Sequence, residues 1–115
     1  MSSAPLTPCR RAGDFLFVSG QLGRDRDGRI VAGGFEAQAR AALANLGTVL
    51  SSEGYGPGDV VKVTAWLTEP GFAEAFNRLY RETFAAPYPA RSTVISGLLA
   101  PGALVEIEAI AHRQS

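Results

Sequence analysis

Two segments of helical periodicity lie between groups of β-forming residues, and this order limits the chain to few folds. Apolar residues recur at spacings of three and four from Phe35 to Leu50, and again from Phe72 to Tyr80. The pattern predicts helices over residues 35–53 and 72–84. Gly54 supports the end of the first helix, because glycine readily takes the left-handed conformation common at that position.

The remaining apolar segments predict five strands. The third of them carries apolar residues on both faces, which indicates a central position in a sheet. Asp27 and Gly28 form a hairpin signal before the short second strand. The predicted strands cover residues 15–19, 29–31, 59–67, 91–96 and 104–111.

The predicted order of elements is ββαβαββ, which describes an α+β fold with a single sheet. We expect residues 1–115 to form one domain, because a chain of this length leaves no room for a second core. Two helices can cover only one face of the sheet. The opposite face would then expose apolar side chains, which predicts an association surface.

Charge and residue types argue against several classes of function. Eleven basic residues balance eleven acidic ones, so no net positive field favours nucleic acid. Cys9 is the single cysteine, and no metal-ligand spacing or nucleotide-binding glycine motif occurs. We therefore expect no metal or cofactor. The absence of a leader or membrane-spanning pattern predicts a cytoplasmic protein without a membrane partner.

Charged residues near the C-terminus are the main candidates for chemistry. Arg91 begins a strand that is otherwise neutral, and Glu106 and Glu108 alternate with apolar residues on the next strand. If these two strands pair, both glutamates share a face and an arginine can meet them. One interpretation is a surface salt bridge of less than about 1 kcal/mol. The other is an arginine that binds a substrate carboxylate, with an acid nearby for proton transfer.

Four motifs of the sequence, in this order, resemble the reactive-intermediate deaminase (RidA) family, also called the YjgF or L-PSP endoribonuclease family. Together they span nearly the whole chain. They are Phe-Leu-Phe-Val-Ser-Gly-Gln at 15–21, Asn77 with Tyr80, Pro-Ala-Arg-Ser-Thr-Val at 89–94, and Val-Glu-Ile-Glu-Ala-Ile-Ala at 105–111.

The resemblance implies a chorismate-mutase-like fold, a homotrimer and sites in the clefts between its subunits. It implies that Arg91 pairs with a substrate carboxylate and that Glu106 holds or activates the attacking water. Thr93 would lend backbone contacts to the imine, and Ser19 and Gly20 would line the same cleft. The implied reaction is hydrolytic deamination of 2-imino acids or their enamines to 2-oxo acids and ammonia.

One departure from the family pattern bears on this function. Leu6 stands where family members often carry a tyrosine before the first strand, so the usual hydroxyl is missing. A non-catalytic trimer that binds a small carboxylate or a protein is therefore an alternative. Ribonuclease activity is a third hypothesis. Zero net charge and the lack of a base-stacking aromatic strip argue against it.

Overall fold

The computed structural model describes residues 4–113 and has one five-stranded sheet with two helices on one face. The predicted α+β class and the order ββαβαββ are confirmed. Short 3-10 turns, Pro57–Asp59 and Pro70–Phe72, precede the third strand and the second helix. The elements are β1 Cys9–Ala12, β2 Phe15–Leu22, α1 Gly34–Ser52, β3 Val60–Leu67, α2 Ala73–Thr83, β4 Ala90–Ile95 and β5 Val105–His112.

The first two strands differ from the predicted pair. The prediction of a strand at residues 29–31 was wrong, because Ile30 forms only an isolated bridge with Arg24. The Asp25 carboxylate accepts hydrogen bonds from the backbone N–H groups of Asp27 and Arg29, which closes this segment into a loop. The first strand is instead β1, an edge strand that pairs with β2. Its mainly exposed, arginine-rich sequence gave no apolar pattern.

The hypothesis that the last two strands pair was also wrong. The sheet order is β1-β2-β5-β3-β4, so β3 lies between β4 and β5. The strand β4 runs parallel to β3, whereas β5 runs antiparallel to it. A helical crossover explains this arrangement, because α2 connects β3 to β4 and parallel neighbours need such a connection.

The core lies between the helices and one face of the sheet. Alternate residues of β3 and β5 point to this face, among them Val63, Ala65 and Ile107, which are fully buried. They pack in one cluster with Ala39 and Leu46 of α1. Each fully buried valine, leucine or isoleucine side chain contributes about 1.5–3 kcal/mol to folding, so this packing holds the sheet against the helices.

No helix within residues 4–113 lies over the opposite face of the sheet. Phe15 and Phe17 of β2 are 42 % and 45 % exposed there, and Val94 of β4 is 40 % exposed. These residues confirm the predicted one-sided covering of the sheet. We call this surface the open face.

No helix among residues 4–113 is long and apolar enough to cross a membrane.

Candidate functional site

The guanidinium of Arg91 is held in a fixed position by neutral groups. Its Nη2 donates a hydrogen bond of 2.7 Å to Oδ1 of Asn77. Its central carbon lies 4.7 Å from the ring centroid of Tyr80 and 5.4 Å from that of Phe76, both within cation–π range. Among residues 4–113, no carboxylate forms a salt bridge with Arg91. Its charge is thus oriented but not neutralised.

The β3-α2-β4 crossover brings these groups together. Asn77 and Tyr80 are three residues apart on α2 and therefore share one helix face. Because β4 lies beside β3 in parallel register, with Arg91 opposite Val63, Arg91 points to the face covered by the helices. The sequence pattern marked Asn77 and Tyr80 only as part of a motif. The sequence analysis did not predict the parallel crossover, which brings Asn77 and Tyr80 to Arg91.

A cavity of about 270 Å³ opens beside Arg91. Its lining residues include both cationic and aromatic side chains but no acid, namely Asn77, Tyr80, Arg81, Tyr88, Pro89 and Arg91. Thr93 lies two residues beyond Arg91 and points to the same side of the strand, since it pairs with Ala65. The structure thus brings the candidate residues Arg91 and Thr93 together. We call this group the arginine cluster.

Tyr80 forms a buried wall of the arginine cluster. The residue is 5 % exposed, and its hydroxyl has no hydrogen-bond partner among the described residues. Burial raises the pKa of this hydroxyl, and the nearby positive charge of Arg91 opposes that rise. The phenol therefore stays neutral at neutral pH, and its ring presents an uncharged π-face to the guanidinium.

The second group of candidate residues lies on the open face around Glu106. Ser19 and Gly20 form a β-bulge in β2, because the register with β5 shifts between Val18 and Gln21. A Cβ atom placed on Gly20 would lie only 2.1 Å from Oε2 of Glu106, so the carboxylate lies directly against the glycine backbone. The structure thus brings Glu106, Gly20 and Ser19 together. We call this group the glutamate cluster.

The carboxyl group of Glu106 is half-buried and lies near two charges of opposite sign. Burial raises its pKa most, and the negative charge of Glu108, on the same face, raises it further. Arg24 opposes both effects. Glu106 therefore holds its proton to a higher pH than an ordinary glutamate, which suits a group that must both accept and donate a proton.

The two clusters lie far apart within one chain. Arg91 points to the face covered by the helices, whereas Glu106 pairs with Trp66 on the open face. Two strand spacings and three residues separate them, which is about 10 Å across the sheet and about 10 Å along it. The predicted meeting of Arg91 with Glu106 or Glu108 on one face was therefore wrong, and so was the salt bridge, because β3 separates their strands.

The position of the missing tyrosine borders the glutamate cluster. The Oγ of Ser19 donates a hydrogen bond to the carbonyl of Thr7, and its backbone N–H donates to that of Pro8. Leu6 lies beside these residues with 68 % of its surface exposed. Leu6 directly precedes Thr7 in the chain, and its aliphatic side chain offers no hydrogen bond. Within residues 4–113, no group of three or more acidic, histidine or cysteine side chains could hold a metal ion.

We expect two charge-removing variants to move the pKa of Glu106 in opposite directions. Glu108→Gln removes a repulsive charge and should lower this pKa, while Arg24→Gln removes an attractive charge and should raise it. NMR titration of carboxyl-labelled glutamate would measure both. The variant Glu74→Gln, on α2, serves as the control and should leave the pKa unchanged. Shifts of the same sign in the two test variants would contradict this electrostatic account.

Comparison with known proteins shows which family this chain is similar to. The family model described as endoribonuclease L-PSP matches residues 1–113. The chain is 39 % identical over 97 residues to a 2-iminobutanoate/2-iminopropanoate deaminase of Capra hircus, covering 84 % of this chain and 71 % of the relative. RidA from the Antarctic bacterium Psychrobacter superposes with a TM-score of 0.91 at 30 % identity, over 98 % of this chain and 92 % of that one.

A further solved structure, E. coli TdcF with bound serine, has a TM-score of 0.88 at 31 % identity and covers 98 % of this chain and 91 % of its own. The structure defines an α+β protein with a one-sided sheet and an oriented guanidinium beside a small cavity. The chain belongs to the RidA/YjgF family, also named for L-PSP endoribonuclease.

Proposed function

We propose that this protein hydrolyses 2-imino acids, or their enamine tautomers, to 2-oxo acids and ammonia. The observation that carries the proposal is the guanidinium of Arg91, held by Asn77 and two aromatic rings with no acid partner among residues 4–113. A planar guanidinium binds a carboxylate through two parallel hydrogen bonds. All 2-imino acids carry such a carboxylate next to the reacting carbon.

The reaction needs little beyond position and proton transfer. The imine carbon is already electrophilic, so a water molecule held against it can add across the C=N bond. Glu106 accepts a proton from that water and returns one to the nitrogen. The resulting carbinolamine then expels ammonia and leaves the 2-oxo acid. The raised pKa of Glu106 suits both steps, because the carboxyl group can act as base and then as acid.

We infer that the site forms between two subunits of a homotrimer. Arg91 and Glu106 point to opposite faces of the sheet and cannot reach one substrate within a single chain. In a ring of identical chains, the arginine cluster of one subunit can face the glutamate cluster of the next. The exposed Phe15, Phe17 and Val94 give the open face an apolar surface for this contact.

Two relatives support the choice of substrate. The Capra hircus relative is named for imines of short 2-oxo acids, and TdcF was solved with serine, which has a carboxylate next to a nitrogen-bearing carbon. Both fit an arginine that binds the shared carboxylate. We propose the same substrate class for this chain, with Ser19, Gly20 and Thr93 lining the cleft.

Complementation between two inactive variants tests the function and the shared site together. Arg91→Ala and Glu106→Gln should each be nearly inactive alone. When the two are unfolded, mixed equally and refolded, a working site needs Arg91 from one kind of subunit and Glu106 from the other. Each of the two subunits that form one site is of the required kind with a probability of about one half, so about a quarter of wild-type activity should return.

The controls are each variant refolded with itself, which should recover nothing. Ultracentrifugation should give about three chain masses for all samples. Activity of the wild type without any recovery in mixed trimers would contradict a site that takes Arg91 from one subunit and Glu106 from the next. A stable monomer at micromolar concentration would contradict the assembly.

Leu6 favours a second candidate function, which is binding of a small carboxylate without turnover. Leu6 offers no hydroxyl where family members often carry a tyrosine, while the arginine cluster stays intact. Calorimetry with 2-oxobutanoate and a turnover assay with the corresponding imine separate the two functions. Binding without turnover would favour this second candidate.

A further inference from the structure

A second guanidinium lines the cavity beside Arg91. Arg81 and Asn77 are four residues apart on α2, so they lie one above the other on the same side of the helix. Both line the cavity, and Asn77 already contacts Arg91. The small cavity therefore presents two arginines, while none of its lining residues is acidic.

Glu36 and Glu82 belong to other ion pairs, and Glu74, which lines a neighbouring groove together with Arg81, forms no salt bridge with it among residues 4–113. Arg78, three residues earlier, pairs with Glu36 at 2.8 Å and with Glu82 at 4.0 Å. Glu82 also pairs with Arg40 at 3.2 Å. Among residues 4–113, Arg81 forms neither a salt bridge nor a side-chain hydrogen bond. Its charge is thus free to meet a ligand in the cavity.

We propose that the site prefers substrates with a second carboxylate, namely the 2-imino acids derived from dicarboxylic amino acids. Arg91 binds the carboxylate next to the imine, and Arg81 binds the one on the side chain. This inference rests on the proposed function for the reaction, but it concerns recognition, which binding measurements test separately.

The dimensions of the cavity favour a short diacid. One helical turn, about 6 Å of rise over four residues, separates Arg81 from Asn77, which itself touches Arg91. A four- or five-carbon diacid is short enough to lie between side chains that are about one helical turn apart. The cavity volume of about 270 Å³ is close to the lower limit for ligand pockets, about 300 Å³, which suits a molecule of this size.

Calorimetry with stable 2-oxo acids tests the preference without any turnover. The probes are 2-oxoglutarate, with two carboxylates, and 2-oxobutanoate, with one. We expect Arg81→Gln to weaken 2-oxoglutarate binding about tenfold, as for loss of a charged hydrogen bond at a partly exposed site. Binding of 2-oxobutanoate should change less than about threefold, because Arg91 remains.

Arg78→Gln is the matched control, since it removes the same charge from the same helix but does not line the cavity. It should change neither affinity by more than about twofold. Equal losses for both probes in Arg81→Gln, or an equal selective loss in Arg78→Gln, would overturn the inference. Wild-type affinity for 2-oxoglutarate no higher than for 2-oxobutanoate would overturn it too.

Turnover measurements judge the proposed reaction independently. With imines generated in solution from glutamate and from 2-aminobutanoate, the Arg81→Gln variant should lose kcat/KM selectively for the diacid. Selective binding without turnover of either imine would reject the deaminase and keep the diacid preference. Turnover of both imines without selectivity would support the deaminase and reject the diacid preference.

Discussion

Arg91→Ala should lower kcat/KM for hydrolysis of 2-iminobutanoate by roughly a hundredfold or more, since it removes a paired, charge-assisted contact worth about 2–5 kcal/mol. The loss exceeds that of an ordinary surface arginine because Asn77, Tyr80 and Phe76 already hold the guanidinium in place. The substrate then needs no further ordering of this side chain. The measurement is the rate of imine hydrolysis by wild type and variant.

The variant Arg91→Lys tests the positive charge of residue 91 separately from the planar shape of its guanidinium. Lysine keeps the positive charge but lacks the planar fork that binds a carboxylate with two hydrogen bonds. It also lacks the several N–H groups with which arginine can donate to Asn77 and to a substrate at once. We expect it to recover only part of the activity lost in Arg91→Ala.

Arg40→Ala provides the control, because Arg40 forms an exposed ion pair with Glu82 on the helical side of the molecule. Its removal should change stability by less than about 1 kcal/mol and leave turnover alone. Melting and sedimentation must show that the Arg91 variants fold and assemble. An assembled Arg91→Ala protein with near wild-type turnover would contradict the proposed carboxylate site.

Much of the fold follows from periodicity in the sequence. The stripe from Phe35 to Leu50 became α1, and the two-sided apolar pattern at residues 59–67 became β3, which has strands on both sides. The alternation in the last strand correctly placed Glu106 and Glu108 on one face. These signals are local, because a side chain's face depends only on its position along its own element.

Strand neighbours could not be predicted in the same way. Short loops suggested that β4 pairs with β5, yet β3 lies between them. Pairing depends on how α2 folds back over the sheet, which no single strand records. The edge strand β1 was missed for a related reason, since its arginine-rich residues are mainly exposed and need no apolar pattern.

In the candidate site, too, local features could be predicted from the sequence, whereas tertiary contacts could not. The motifs named Arg91, Glu106, Ser19, Gly20 and Thr93, and the structure assembles them into two clusters. Their assignment to opposite faces required the sheet order, which the sequence pattern did not contain. The contact of Asn77 with Arg91 is also tertiary, because 14 residues separate them along the chain. The sequence thus supplied the candidate residues, but it could not predict which of them meet.

Gly20→Ala should reduce turnover by about a hundredfold while leaving the protein folded, as expected for a catalytic group displaced by about 1 Å. A Cβ at this position would lie 2.1 Å from Oε2 and 2.9 Å from Cδ of Glu106. The carboxylate must therefore move. Since it is the far end of a flexible side chain, stability should fall by no more than about 1–2 kcal/mol.

Gly47→Ala is the matched control, because it also adds one methyl group but has no atom within 4 Å to disturb. It lies within α1, so it should stabilise the protein by about 0.5–1 kcal/mol and leave turnover unchanged. The measurements are imine hydrolysis and denaturant unfolding of both variants. They separate displacement of Glu106 from the general effect of replacing a glycine.

A double-mutant cycle with Glu106→Ala tests whether Gly20 acts through the carboxylate. Removing the Glu106 side chain beyond Cβ also removes every atom that the new methyl group would strike. In that background, Gly20→Ala should therefore cost nothing further in residual turnover or in free energy of unfolding. If Gly20→Ala were equally harmful with and without the glutamate, its effect would come from the bulge backbone, and Gly20 would not position Glu106.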